Sequence, residues 1–162
     1  MIACVDVDYR PTETVAAALF FRAFADAMPE AERVARLPPA APYEPGRFYL
    51  RELPALLAVL AQAPAPPSLV IVDGFVWLDV GRPGLGARLH EALGGTPVIG
   101  VAKRPFRDAP AIPVLRGASR TPLLVTAAGI DPRRAAEHVR AMHGAHRLPT
   151  LLRRVDRLCR EA

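Results

Sequence analysis

The spacing of apolar residues predicts strands in the first part of the chain. Residues 2–8 and 14–22 are almost continuously apolar, which predicts two adjacent strands joined by a turn at Arg10 to Glu13. The alanines of the second segment are also compatible with a helix. Segment 30–37 is ambiguous. The prolines between Leu37 and Pro45 predict irregular structure, because proline lacks a backbone donor and restricts the residue before it.

From residue 51 onward the pattern alternates between helix and strand. Helical spacing from Leu53 to Leu60 predicts a helix opened by Glu52, with Pro54 in its first turn. Residues 68–73 have the continuous apolar character of a strand buried on both faces. A helix through Leu85, Leu89 and Leu93 and a strand at 97–102 follow. This order of strand, helix and strand predicts that the two strands are parallel neighbours in one sheet.

The remaining chain predicts strands near 112–116 and 122–126 and helices over about 132–143 and from about 148. Strands first and then alternating elements predict one domain, 1–162, of the α/β class. We expect a mixed β-sheet flanked by helices on both faces.

Composition narrows the range of partners. Lys and Arg outnumber Asp and Glu by 21 to 16, and this net charge of +5 favours a polyanion such as nucleic acid. Apolar runs are too short to span a membrane, and no signal-peptide pattern is present. Cys4 and Cys159 lack metal-type spacing and are interpreted as core residues. We expect a cytoplasmic monomer.

Three carboxylates are the candidates for chemistry. Asp6 lies in the first strand, Glu52 at the start of a helix, and Asp73 at the end of a buried strand. An ionised acid beside apolar surroundings is costly unless a partner or a metal compensates it. Each position also has an ordinary explanation: a strand end, an acid complementing the helix dipole, and a turn before Gly74.

Five segments in order carry a family resemblance: Val5-Asp6-Val7-Asp8-Tyr9, Pro42-Tyr43-Glu44-Pro45-Gly46, Arg51-Glu52-Leu53-Pro54-Ala55-Leu56, Val72-Asp73-Gly74 and Ile99-Gly100-Val101-Ala102-Lys103. A sixth is His146-Arg147-Leu148-Pro149, followed by Asp156 on a helix. The chain resembles endonuclease V, the deoxyinosine-dependent nuclease with an RNase H-like fold. The resemblance covers about residues 2–158.

The resemblance implies a metal-dependent catalytic centre. Asp6, Glu52 and Asp73, with Asp156 as a fourth acid, would hold Mg²⁺, for which Mn²⁺ can substitute. Lys103 would neutralise charge that builds on the phosphate. A surface ion pair is the alternative role for Asp156.

The resemblance also implies a recognition site in DNA, or in RNA that contains inosine. Tyr43 would belong to a wedge beside the lesion, and the extruded base would lie against the substrate-binding residues Gly46, Gly74, Gly84 and Leu85. The family cuts the second phosphodiester bond 3′ to inosine, leaving a 3′-hydroxyl and a 5′-phosphate.

The chain departs from the family pattern in its recognition segments. Val76 and Asp79 replace a glycine and a histidine in a loop expected to line the base pocket, and Ile130 replaces another histidine. The segment from Lys103 to Ile112 is short. Two alternatives therefore remain: a non-catalytic nucleic-acid-binding protein on this scaffold, and an RNase H-like nuclease for branched or flapped DNA.

Overall fold

The structure is a computed structural model that describes residues 1–40 and 49–162. Its first three strands are β1 (Ile2–Tyr9), β2 (Thr14–Phe21) and β3 (Ala31–Leu37). They form an antiparallel meander, with β2 paired to both neighbours. Every residue of β2 is buried, so packing on both faces overrides the helical preference of its alanines.

The middle of the chain follows the predicted alternation. Its helices are α1 (Tyr49–Leu60) and α2 (Leu85–Ala92), and its sheet strands are β4 (Leu69–Asp73) and β7 (Val98–Ala102). A hairpin of β5 (Trp77–Asp79) and β6 (Arg82–Pro83), which the sequence pattern did not predict, lies between β4 and α2.

The last part contributes two strands and two helices. These are β8 (Ile112–Val114), β9 (Leu123–Ala128), α3 (Pro132–Ala141) and α4 (Thr150–Glu161). Helix α3 begins at a proline after Asp131, whose carboxylate accepts hydrogen bonds from two backbone N–H groups of the first turn.

Within the described residues, the main sheet has seven strands in the order β3-β2-β1-β4-β7-β9-β8. Strands β1, β4 and β7 are parallel, and the remaining pairings are antiparallel. One apolar cluster joins the sheet to α3 and α4, and a second joins the opposite face to α1 and α2. The predicted mixed sheet with helices on both faces is confirmed.

Some predicted boundaries were wrong. Helix α1 already includes Tyr49, so Glu52 lies within its first turns and does not open it, and Pro54 lies inside the helix on its exposed side. Helix α4 begins at Thr150, after the predicted position 148. Residues 41–45 of the predicted irregular stretch lie outside the described residues. No helix in the described ranges is long and apolar enough to cross a bilayer.

Candidate active site

Two of the candidate acids meet because their strands are parallel neighbours. Strand β1 pairs with β4 up to the partners Val5 and Val72, and Asp6 and Asp73 are the next residues along each strand. Parallel strands place these successive residues at the same end of the ladder. The register therefore brings together two carboxylates that are 67 positions apart in the chain.

Two further acids reach the same place from opposite faces of the sheet. Glu52 comes from α1 and Asp156 from α4, and both line a pocket of about 220 Å³ with Asp6 and Asp73. The structure thus gathers all four predicted acids at one pocket. The other residues that line it are Val7, Asp8, Cys159 and Arg160.

The pocket makes it costly for Asp6 and Glu52 to ionise. Burial, followed by the charges of Asp73 and Asp156, raises the pKa of Asp6 to about 7, although the Val7 N–H donates to its Oδ1 at 2.8 Å. Burial also raises the pKa of Glu52 to about 7; a hydrogen bond from the Tyr9 hydroxyl opposes this change, and the charges of Asp6 and Asp73 add to it. Burial and repulsion from neighbouring carboxylates therefore both disfavour the ionised forms of Asp6 and Glu52.

Lys103 supplies a cation to this cluster. Its Nζ donates to Asp73 Oδ2 at 2.6 Å. Burial acts to lower the pKa of Lys103, but the hydrogen bond and negative charge of Asp73 raise it above its usual value. Lys103 is also the chain's single lysine, since the other 20 of its 21 Lys and Arg residues are arginine. A lone lysine among arginines was the available signal in the sequence.

The donor set suits a hard divalent cation, which prefers carboxylate oxygens. Asp156 lines the pocket and also accepts a hydrogen bond from Arg160 at 2.9 Å. The ion pair and the position at the pocket, which the sequence left as alternatives, therefore occur together. Across residues 1–40 and 49–162, no three His, Cys, Asp or Glu side chains converge into a ready coordination cluster. The four acids surround the pocket without closing on a common centre.

The predicted base-contact residues divide into three groups. Tyr43 and Gly46 lie outside the described residues. Leu85 lines a small recess with Asp6, Glu52 and Asp73. Gly74 has a φ of +128° and open space beside it, whereas a Cβ at Gly84 would lie 2.6 Å from the Phe75 carbonyl oxygen. Packing within the protein therefore accounts for the glycine at 84.

The expectation that Val76 lines a base pocket was wrong. Its side chain is fully buried, and its N–H donates to Thr126 Oγ1 at 2.8 Å. The Trp77 indole N–H donates to the Ala127 carbonyl at 3.0 Å, so this ring is also held by the protein. Asp79 is exposed in the hairpin and accepts a hydrogen bond from the Val80 N–H. Val76 and Trp77 are therefore held against the sheet, whereas the tip of the hairpin is exposed.

The structure adds residues that pattern reasoning did not find. Gly100 lies under the Asp73–Gly74 turn, and a Cβ there would lie 2.5 Å from the Gly74 carbonyl oxygen and 2.6 Å from Thr126 Oγ1. The absence of a side chain at 100 therefore lets the turn that follows Asp73 approach β7 closely. A glycine inside an apolar strand was the available signal.

Fold and site together define a class of protein. A mixed sheet of RNase H-like topology carries an acidic pocket where its parallel strands end, between helices from both faces. The sequence model of the endonuclease V family matches residues 1–127. A curated endonuclease V from Streptomyces avermitilis is 36% identical over 98% of this chain and 78% of its own length. The chain belongs to the endonuclease V family.

Other relatives agree. An endonuclease V from Streptomyces coelicolor is 38% identical over 82% of this chain and 65% of its own length. The crystal structure of the Streptomyces avermitilis protein superimposes with a TM-score of 0.81 at 34% identity, covering 99% of this chain and 79% of that one. A Ciona intestinalis endonuclease V bound to a 23-mer DNA that contains an inosine shares the fold, with a TM-score of 0.82 at 17% identity and coverages of 99% and 83%.

Proposed function

We propose that this protein is a metal-dependent endonuclease that cleaves DNA beside deoxyinosine or another deaminated base. The observation that carries the proposal is the pocket of four acids, Asp6, Glu52, Asp73 and Asp156, in a chain of the endonuclease V family. A relative of the same fold is known in complex with inosine-containing DNA. The net charge of +5 is consistent with a polyanionic substrate.

We propose that Asp6, Glu52, Asp73 and Asp156 hold Mg²⁺, or Mn²⁺ in its place. The raised pKa values of Asp6 and Glu52, caused by burial and mutual repulsion, support this assignment because a bound cation would offset that repulsion. When bound, the ion supplies a water of lowered pKa and stabilises charge on the leaving oxygen. The chain itself contributes the oxygen donors and places them around one pocket before substrate arrives.

Lys103 has the second role in the proposed chemistry. Its ammonium donates to Asp73, and Lys103 lines a small recess that shares Asp6 and Asp73 with the acid pocket. A phosphodiester entering the site would bring negative charge toward four carboxylates, and this repulsion must be balanced for binding and for the transition state. We assign Lys103 to that charge, because its ammonium donates to Asp73 and is held among the site residues, whereas Arg160 is engaged with Asp156 one helical turn away on α4.

Recognition is assigned to the loops that surround the acids. Gly74, with open space beside it, and Leu85, which lines the recess next to the acids, would contact the extruded base. Tyr43 and Gly46 would complete the wedge, as the family resemblance implies. Cleavage would fall at the second phosphodiester bond 3′ to the lesion, and inosine in RNA is a possible second substrate.

A nicking assay tests the proposal. The substrate is a duplex oligonucleotide with one deoxyinosine, incubated in Mg²⁺ and separately in Mn²⁺, beside an unmodified duplex and an RNA version. We expect a cut at the second phosphodiester bond 3′ to inosine. This cut should be lost in Asp73→Ala. It should be retained in the control Asp79→Asn, which removes a charge from the exposed hairpin. Cutting at other structures would indicate an RNase H-like nuclease of different specificity. Binding without cutting would indicate a non-catalytic nucleic-acid-binding protein.

A further inference from the structure

Arg147 contacts the backbone of Lys103 from the segment that precedes α4. Its Nη2 donates to the carbonyl oxygen of Lys103 and, at 2.8 Å, to that of Pro122. One guanidinium therefore joins the residue after β7 to the residue before β9. The side chain is half-buried, so these hydrogen bonds are partly shielded from water.

The sheet cannot make this connection by itself. Strands β7 and β9 are antiparallel, and their last pair at this end is Ala102 with Leu124. Lys103 and Pro122 lie beyond that pair, and Arg147 donates to the backbone carbonyl of each.

A second arginine holds the backbone around Arg147. Arg116 is only 6% exposed, and its Nη1 donates to the carbonyl of His146 at 2.9 Å and to that of Arg147 at 3.4 Å. Its Nη2 donates to the carbonyls of Met142 and Gly144. These carbonyls follow the carboxyl end of α3, where backbone dipoles favour a cation. The segment that carries Arg147 is therefore fixed before it reaches Lys103.

The chain of contacts ends at the proposed active site. Lys103 has four methylene groups between its backbone and the Nζ that lies 2.6 Å from Asp73 Oδ2. A side chain of this length holds one position only if its backbone is held, because it otherwise has many rotamers of similar energy. We propose that Arg147 is a positioning residue, which fixes the Lys103 backbone so that its ammonium stays at the acid pocket. The catalytic consequence rests on the function proposed above.

A double-mutant cycle tests the catalytic consequence. Arg147→Met removes both hydrogen bonds, and we expect kcat on the inosine duplex to fall about 10-fold with KM nearly unchanged. If Arg147 acts through Lys103, Arg147→Met should cause no further loss in a Lys103→Met background. Equal losses in the two backgrounds would overturn the proposal. Arg133→Met, which removes an exposed guanidinium from α3, is the matched control and should retain the wild-type rate.

A second measurement does not depend on nuclease activity. Because Lys103 is the single lysine, reductive ¹³C-dimethylation gives one side-chain NMR resonance, plus that of the terminal amine, and Lys103→Met assigns it. We expect this resonance to shift in Arg147→Met toward its position in Asp73→Asn, where the ion pair is absent. Arg133→Met should leave it in place. An unchanged resonance in folded Arg147→Met would overturn the positioning role.

Arg147→Gln is a second, milder substitution that keeps the proposal testable if Arg147→Met does not fold. Its amide keeps two donors without the charge, so we expect both the rate and the resonance to lie between those of wild type and Arg147→Met. If the wild-type protein does not cut the inosine duplex, the nuclease proposal fails. The NMR comparison would still decide whether Arg147 positions Lys103. If both variants fold and have the same cleavage rate and the same Lys103 resonance, the hydrogen bonds of Arg147 are not what positions Lys103.

Discussion

The Nζ of Lys103 lies 2.6 Å from Oδ2 of Asp73, and the two side chains are each 39% exposed. Ion pairs of this exposure contribute little to stability, about 1 kcal/mol or less. The pair joins two candidate site residues that are 30 positions apart in the chain. Stabilisation of the fold therefore does not account for this pair, and its position is consistent with the role proposed for Lys103 beside a substrate phosphate.

Replacing Lys103 by arginine should impair cleavage although the charge is kept. A guanidinium is a wide planar fork, whereas an ammonium is a compact point charge, so the fork cannot occupy the same position beside Asp73. We expect Lys103→Arg to lower the single-turnover rate at least about 10-fold with little change in melting temperature. Arg133→Lys is the reciprocal control and should cut normally. A wild-type rate in Lys103→Arg would remove Lys103 from the mechanism.

The stability of the metal-free protein should depend on Asp6 in a defined pH range. The pKa of Asp6 is raised from 3.8 to about 7 in the folded protein, so the folded state binds the proton more tightly than the unfolded state. This contribution to stability is complete below about pH 4 and is lost as the pH rises through about 7.

Asp6→Asn should therefore be more stable than wild type at pH 8, by on the order of 1–3 kcal/mol, with the difference vanishing toward pH 4. Urea unfolding in EDTA across this range measures it. A constant difference between the two proteins at all pH values would show that Asp6 carries no raised pKa.

Divalent cations should stabilise the protein through the same acids. A ligand that binds only the folded state, at a concentration of 100 times its Kd, adds about 2.7 kcal/mol to the free energy of unfolding. A cation would be bound here because it relieves the repulsion around Asp6 and Glu52. We expect the melting temperature to rise with Mn²⁺ in wild type and in Asp79→Asn. The rise should be much smaller in Asp73→Asn. An equal rise in all three proteins would place the ion elsewhere.

Gly100→Ala should disturb the turn that carries Asp73. The added Cβ would lie 2.5 Å from the Gly74 carbonyl oxygen, so the backbone must move, at a cost of about 1–3 kcal/mol. We expect a lower urea midpoint and a weaker response to Mn²⁺, because the displaced turn changes the position of the Asp73 carboxylate. If stability and the Mn²⁺ response were both unchanged, close packing at Gly100 would not be what positions this acid.

The sequence predicted the order of the elements well, because apolar periodicity is a local property that each segment carries by itself. Two cases show what local pattern leaves open. Strand β2 could have been a helix on its alanines, and only its place between β1 and β3, with helices covering both faces, made it a strand. The place of Val76 beside Asp73-Gly74 predicts a pocket residue, but a hydrogen bond from its N–H to Thr126, 50 positions away, holds it in the interior.

By itself, then, the sequence determined the α/β class, the family resemblance and the identity of the acids, since these depend on residue type and on spacing within short segments. Only the tertiary structure decided that Asp156 reaches the pocket of Asp6 across 150 positions, and that Arg147 holds Lys103. Strand register and side-chain hydrogen bonds between distant segments fix such relationships. They arise when the chain packs, and no local pattern encodes them.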